Sequence, residues 1–371
     1  MAMELTNDVL RYDEQVIMRL RALYRQFGYT PYRMSRFEEY ELYAANKAFL
    51  SSGEIITFTG AGGKLMALRP DVTLSIVKNI KDDAGLRKLY YNENVYRPDG
   101  YAFREQMQVG LECIGEMDVY LMGEVLMLAC KSLEALGERF CLDVSHMGFI
   151  SGLLNSVDLT TDQKSRILRG VSSKNVSELN ALCYHFGLDD DFCDCVATLA
   201  TLYGPFRERF CTLMALCINK EMEDALNELI SLFHVLRSFV VEPDINLDFS
   251  IVNDLGYYNG IIFQGYIEGI PSKVLSGGRY DRLLGKFGKK AGAIGFAVYL
   301  DLLERLAPPL REPEPDALLV YGDDTDLSKL ANFVMLLNET GKSVRVQRDM
   351  PSCDGYGDLV DLRGGPDGEN E

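Results

Sequence analysis

At 371 residues the chain exceeds one average domain, so two or three units are expected, with ample material for a core. Hydrophobic residues at 47% and charged residues at 25% describe an ordinary soluble globular protein. Only 38 Lys+Arg stand against 55 Asp+Glu, and the net charge of −17 argues against a protein that tracks a nucleic-acid backbone or an anionic membrane surface.

The first stretch, about Asp8 to Phe27, carries Val9, Leu10, Val16, Ile17, Leu20 and Leu23 at helical spacing, and Gly28 ends it. It lacks the continuous apolar run of a secretion signal, and no later stretch is long enough to span a bilayer, so a cytoplasmic location is expected. A strand-like GYTPYRM follows, and EIITFTGAGGKLMALRP predicts a β-hairpin around Gly60–Lys64. That turn is no phosphate-binding loop, because Leu65 stands where Ser or Thr is required and Phe58 where the first glycine belongs. DVTLSIVKNI predicts a helix with the Asp71 carboxylate near its N-terminus, a favourable place for negative charge.

Residues 89–113, LYYNENVYRPDGYAFREQMQVGLEC, predict two strands joined by a polar loop. MDVYLMGEVLMLACKSLEALG predicts a helix ended by Gly137, and helical patterns dominate from about 148 to 242, as an insertion in a mixed unit. Strand patterns return at INLDFSIV, GIIFQGYI and SKVLSGG. The proline- and charge-rich residues 307–317 read as a linker, followed over 318–371 by one β-α-β unit, with its helix about Asp326 to Thr340, and a tail, GGPDGENE, expected to be disordered. Nine scattered cysteines form no CxxC pair, and with three histidines they make no metal-ligand pattern, so reduced thiols and no metal or cofactor are expected.

Four segments stand in a telling order: LRPDVT (68–73), QVGLE (108–112), DLGYYNG (254–260) and GGRYD (277–281). Alone, the first three are also a helix cap, an exposed strand face and a hairpin turn. Together with residues 89–113 they resemble the motif 2, histidine-recognition and motif 3 segments of the histidyl-tRNA synthetase family, over about residues 1–306. The resemblance implies an α+β fold of the class II aminoacyl-tRNA synthetase type: a mostly antiparallel sheet flanked by helices, with a helical insertion and a small C-terminal α/β unit. It also implies a histidine pocket made of Asp71, Thr73, Gln108, Glu112, Tyr257 and Tyr258. Asp71 and Thr73 would accept from the ammonium, which offers three donors. The four-residue offset puts Gln108 and Glu112 on one strand face. The two tyrosines would wall the imidazole, with Tyr258 on the ligand side.

Departures from the family matter as much. Its ATP-gripping arginines fall on Asn94, Asn253 and Leu302, while Arg104 matches a retained one and is a possible anion contact. Arg305 lies three residues past Leu302, most of a helical turn away. Ser35 stands in place of a motif 1 proline, in a dimer-forming segment, and residues 318–371 are shorter than an anticodon-binding domain of about a hundred residues. The pattern is similar to the regulatory subunits of ATP phosphoribosyltransferase, the first enzyme of histidine biosynthesis. That resemblance implies a non-catalytic chain, a homodimer core, a hetero-oligomer with a short catalytic subunit, histidine as feedback effector, and no nucleic-acid or membrane partner. An active histidyl-tRNA synthetase of degenerate sequence, and an assembly scaffold with an empty pocket, remain the alternatives.

Overall fold

The computed structural model describes residues 10–47, 50, 54–81, 85–137, 139–239, 245–252, 257–305, 314–350 and 356–363. Asn253, Cys353, most of the proline-rich linker and the GGPDGENE tail lie outside them. The chain divides into two compact units, residues 1–306 and 307–371.

In the first unit, α1 (Tyr12–Gln26) turns Val16, Ile17, Leu20 and Tyr24 inward at the expected helical spacing, and Gly28, at φ 79°, lets the chain leave it. β1 (Thr30–Pro31) leads to a small antiparallel sheet of β2 (Phe37–Glu39), β3 (Thr57–Thr59) and β4 (Leu65–Leu68), in the order β2-β4-β3, with α2 (Tyr40–Ala44) between the first two. The β3–β4 hairpin turns where Gly62 and Gly63 take φ of 73° and 76°, a region that favours glycine. α3 (Val72–Asn79) follows, then the long strands β5 (Arg87–Asp99) and β6 (Ala102–Gly115), paired antiparallel along their whole length.

α4 (Val119–Leu136) and β7 (Phe140–His146) precede the helical insertion of α5 (Met147–Asn155), α6 (Thr161–Ser172), α7 (Val176–Phe186), α8 (Asp190–Thr201), the short β8 (Tyr203–Pro205), α9 (Phe206–Ala215) and α10 (Lys220–Ser238). Most of its helices start on capping side chains, among them Asn175, Asp189 and Asn219, which satisfy N–H groups that have no partner within the helix; α9, which follows Pro205, has none. β9 (Ile245–Asp248), β10 (Ile261–Ile267), β11 (Leu275–Arg279), α11 (Asp281–Lys286) and β12 (Gly292–Tyr299) complete the unit.

Nine strands form one sheet in the order β1-β5-β6-β12-β11-β10-β7-β9-β8, antiparallel except at β1/β5 and β7/β9. Its pleat sorts side chains between two faces. Val109, Leu111 and Cys113 of β6, with Phe263, Leu275 and Val298, join the core built on α1, α4 and α10. Gln108, Gly110 and Glu112 of β6, with Gln264 and Ser276, alternate with them and so face the other way, which is where the site lies.

The second unit pairs β13 (Ala317–Val320) in parallel with β14 (Val344–Gln347) and β15 (Asp358–Asp361), with α12 (Leu327–Glu339) capped by Asp326. The strand β15 lies beyond the single β-α-β unit read from sequence. Its four residues, DLVD, are too few and too polar to give a strand pattern.

Candidate ligand pocket

A cavity of about 300 Å³ opens on the polar face of the large sheet, and Asp71, Thr73, Gln108, Glu112, Tyr257 and Tyr258 all line it. Segments up to 187 residues apart in sequence, from Asp71 to Tyr258, thus converge on one space. Asp71 serves as the N-cap of α3, its carboxylate accepting from the Leu74 N–H at 2.8 Å. The cap and the cavity wall are therefore one residue. Loss of hydration raises the Asp71 carboxyl above its ordinary value, and the Leu74 N–H and the Arg97 guanidinium offset part of the rise.

Glu112 is the deepest polar group, 2% exposed. Its two oxygens accept from the Thr73 hydroxyl at 2.9 Å and the Tyr280 hydroxyl at 2.5 Å. Burial pushes its carboxyl up to about 8; the two hydroxyl bonds resist that rise, and the Asp71 charge adds to it. Gly295 is the residue directly opposite on β12, and a β-carbon there would overlap the Glu112 carboxylate and the Leu111 carbonyl. Glycine is what lets the carboxylate lie against the neighbouring strand.

Gln108, 5% exposed, donates to Gln106 at 3.3 Å, and Gln106 donates to Asp301 at 3.2 Å. Tyr257 and Tyr258 meet edge to face with ring centroids 4.4 Å apart. A side chain at Gly278 would strike the Tyr258 ring, so this glycine gives the ring its place. The GGRYD segment is a clamp: Asp281 accepts from the Ala293 N–H at 2.9 Å, from Arg279 at 2.8 Å and from Asn259 at 3.1 Å, tying α11 to β12 and to the tyrosine loop.

Of the remaining sites from sequence, Arg104, Asn94 and Leu302 stand apart from the cavity lining. Arg104 is half exposed and binds Asp301 at 2.5 Å, so its charge is already matched within the chain. Asn94 donates to Glu105, which also accepts from Tyr96 at 3.1 Å. Leu302 packs on the main hydrophobic core. Sequence reading missed several polar or charged lining residues, among them Tyr280, Arg97, Lys273 and Tyr299. Tyr280 sat inside GGRYD and Arg97 inside VYRP, both quoted segments, but nothing in their spacing assigns them to the pocket. No three His, Cys, Asp or Glu side chains among the described residues are grouped to hold a metal, and no described helix is long and apolar enough to cross a membrane.

The profile of the histidyl-tRNA synthetase family matches residues 3–303. The chain belongs to the histidyl-tRNA synthetase family. Within it, the chain is 28% identical over 342 residues to the ATP phosphoribosyltransferase regulatory subunit of Oceanobacillus iheyensis, covering 90% of this chain and 84% of that one. A crystal structure of an ATP phosphoribosyltransferase regulatory subunit/histidyl-tRNA synthetase from Bacillus halodurans superposes with a TM-score of 0.80 at 26% identity, over 95% of this chain and 94% of that one. The histidyl-tRNA synthetase of Nostoc sp. PCC 7120 shares the fold at a TM-score of 0.72 and 17% identity, over 95% of this chain and 87% of that one. These matches bear out the class II synthetase-like α+β fold and the likeness to the regulatory subunits.

Proposed function

We propose that this chain is a regulatory subunit of ATP phosphoribosyltransferase, without catalysis of its own, that binds free histidine in the cavity and transmits it to a short catalytic subunit. What carries the reading is the contrast at the site. Six residues suited to an amino acid with a flat polar ring line one cavity, while the retained motif 2 arginine, Arg104, is neutralised by Asp301 beside Leu302. The names of the relatives support it. Glu112 suits an imidazole in particular: an acid near its midpoint at neutral pH can donate or accept, and the Thr73 and Tyr280 hydroxyls can turn to match. A homodimer core, a hetero-oligomer with the catalytic subunit, a cytoplasmic location and no role for nucleic acid belong to the same proposal, the last supported by the net charge of −17.

Mixing the chain with its cognate catalytic subunit tests this. Phosphoribosyl transfer is expected to rise on mixing and to fall when histidine is added. A coupling of about 1–3 kcal/mol makes histidine shift the affinity for the catalytic subunit several-fold to hundred-fold, and the catalytic subunit must shift histidine affinity by the same factor. Glu112→Ala is expected to weaken histidine by ~1–3 kcal/mol, the cost of leaving a buried polar partner without its hydrogen bond, and so to blunt inhibition. Stimulation without any histidine response would leave an assembly role; no effect at all would overturn the reading.

A synthetase would assign the two cations of the cavity, Arg97 and Lys273, to ATP. Histidine-dependent pyrophosphate exchange separates the two readings. It is expected to stay at the buffer blank, because each positioned donor missing from a transition state costs ~3–4 kcal/mol. Exchange clearly above the blank would make the synthetase reading the leading one.

A further inference from the structure

The cavity carries both signs of charge, and among the described residues neither of its cations, Arg97 and Lys273, makes an ion pair. Arg97 lies on β5, and among the described residues its guanidinium donates to the Pro70 carbonyl alone, at 3.3 and 3.4 Å, long bonds at the edge of the useful range. Lys273, in the irregular segment before β11, makes no hydrogen bond or ion pair among the described residues. Lys273 is exposed as a whole residue, yet loss of hydration together with the Arg97 guanidinium holds its ammonium below the ordinary lysine value. The Arg97 charge is felt by Asp71, Tyr299 and Lys273, all of which line the same cavity. Two cations lining one small cavity repel each other unless an anion comes between them. An arginine fork beside a lysine suits a planar two-oxygen anion.

We propose that Arg97 and Lys273 are the carboxylate-recognising end of the cavity, so that it accepts an amino acid only with its α-carboxylate free. This rests on the amino-acid reading given above. The amine would then lie toward Asp71 and Thr73, and the carboxylate toward the two cations. A ligand whose carboxyl is capped as an amide or ester would present a neutral group to two cations, and it would be rejected.

The full chain is titrated calorimetrically with L-histidine and with L-histidinamide, as the parent, as Lys273→Met and as Lys273→Arg. Lys273 has no described partner in the fold, so neither variant is expected to melt below the parent, and Lys273→Met, which removes a charge repelled by Arg97, is expected to melt at the same temperature or higher. Histidine is expected to bind the parent, to bind Lys273→Met about tenfold or more weakly, and to recover most of its affinity with Lys273→Arg, since a hydrogen bond between charged groups is lost and then replaced. Histidinamide is expected to bind the parent weakly and to be indifferent to Lys273→Met. Equal binding of the two ligands by the parent, or equal losses for both in Lys273→Met, would overturn the carboxylate end and leave the histidine reading standing. If histidine fails to bind but another free amino acid binds with the same dependence on Lys273, the histidine reading fails and the carboxylate end stands. No binding of any free amino acid overturns both. Binding of ATP that depends on Lys273, with histidine unaffected, assigns the pair to phosphate and overturns the proposal.

Discussion

Arg69→Met is expected to cost the fold ~3–5 kcal/mol, as removal of one partner of a buried ion pair does. Arg69 has no exposed surface. One guanidinium nitrogen donates to the Ser35 carbonyl at 2.7 Å; another donates to Glu93 at 2.9 Å and to the Asn94 carbonyl at 2.8 Å. Its backbone adds two more ties, accepting from the Tyr96 N–H and donating to the Arg36 carbonyl. One residue thus joins β5 to the chain on both sides of the small sheet. Methionine fills much of the stem but leaves the Glu93 carboxylate, largely buried, with no cation and two carbonyls with no donor. Urea unfolding of the parent, Arg69→Met and the double variant Arg69→Met/Glu93→Gln would read this. The double variant is expected to recover part of the loss, because the stranded charge is gone. A single variant that loses less than about 1 kcal/mol would mean the pair is solvated and of little consequence.

What the sequence reveals, it reveals through period and local chemistry. The four-residue offset of Gln108 and Glu112 needs only the strand period, and both side chains do line the cavity. Asp71 is legible as a cap because its carboxylate bonds an amide three residues on, within the reach of sequence. The alternation of Val109, Leu111 and Cys113 with polar neighbours marks the buried face of β6 in the same way.

Long-range pairings are not legible. Arg104 and Asp301 lie 197 residues apart, and Asp301 adjoins the very position, Leu302, where an arginine was sought. Only the fold shows that the arginine kept at 104 has its charge met inside the chain. Lys273 sits in a stretch with no period at all, so neither helix nor strand logic can aim its side chain. Tyr280 could be quoted in GGRYD, but its bond to Glu112 spans 168 residues and depends on the β11–β12 register. Close approaches are likewise hidden: Gly295 looks like any strand glycine until Glu112 is found against it.

Glu112→Gln is expected to stabilise the unliganded chain at neutral and alkaline pH while changing little at acid pH. In the fold the carboxyl titrates near 8, raised by burial from an ordinary 4.5. Below the lower value both folded and unfolded chains hold the proton, and the group sets no pH dependence. As pH rises from there the unfolded chain releases its proton while the folded one keeps it, so stability falls. Above the higher value both are ionised and the full cost remains, at most about 5 kcal/mol for this gap. Glutamine cannot ionise, and its amide can still meet the Thr73 and Tyr280 hydroxyls, each able to donate or accept. Titrating groups that do not act on Glu112 are common to both proteins and cancel in their difference. The gap in unfolding free energy between variant and parent, measured by urea titration, is therefore expected to widen from about pH 5 to about pH 8 and to level off above that. A gap that stays constant over that range would mean that Glu112 ionises as an exposed glutamate does, and that the cavity is far wetter than its burial implies.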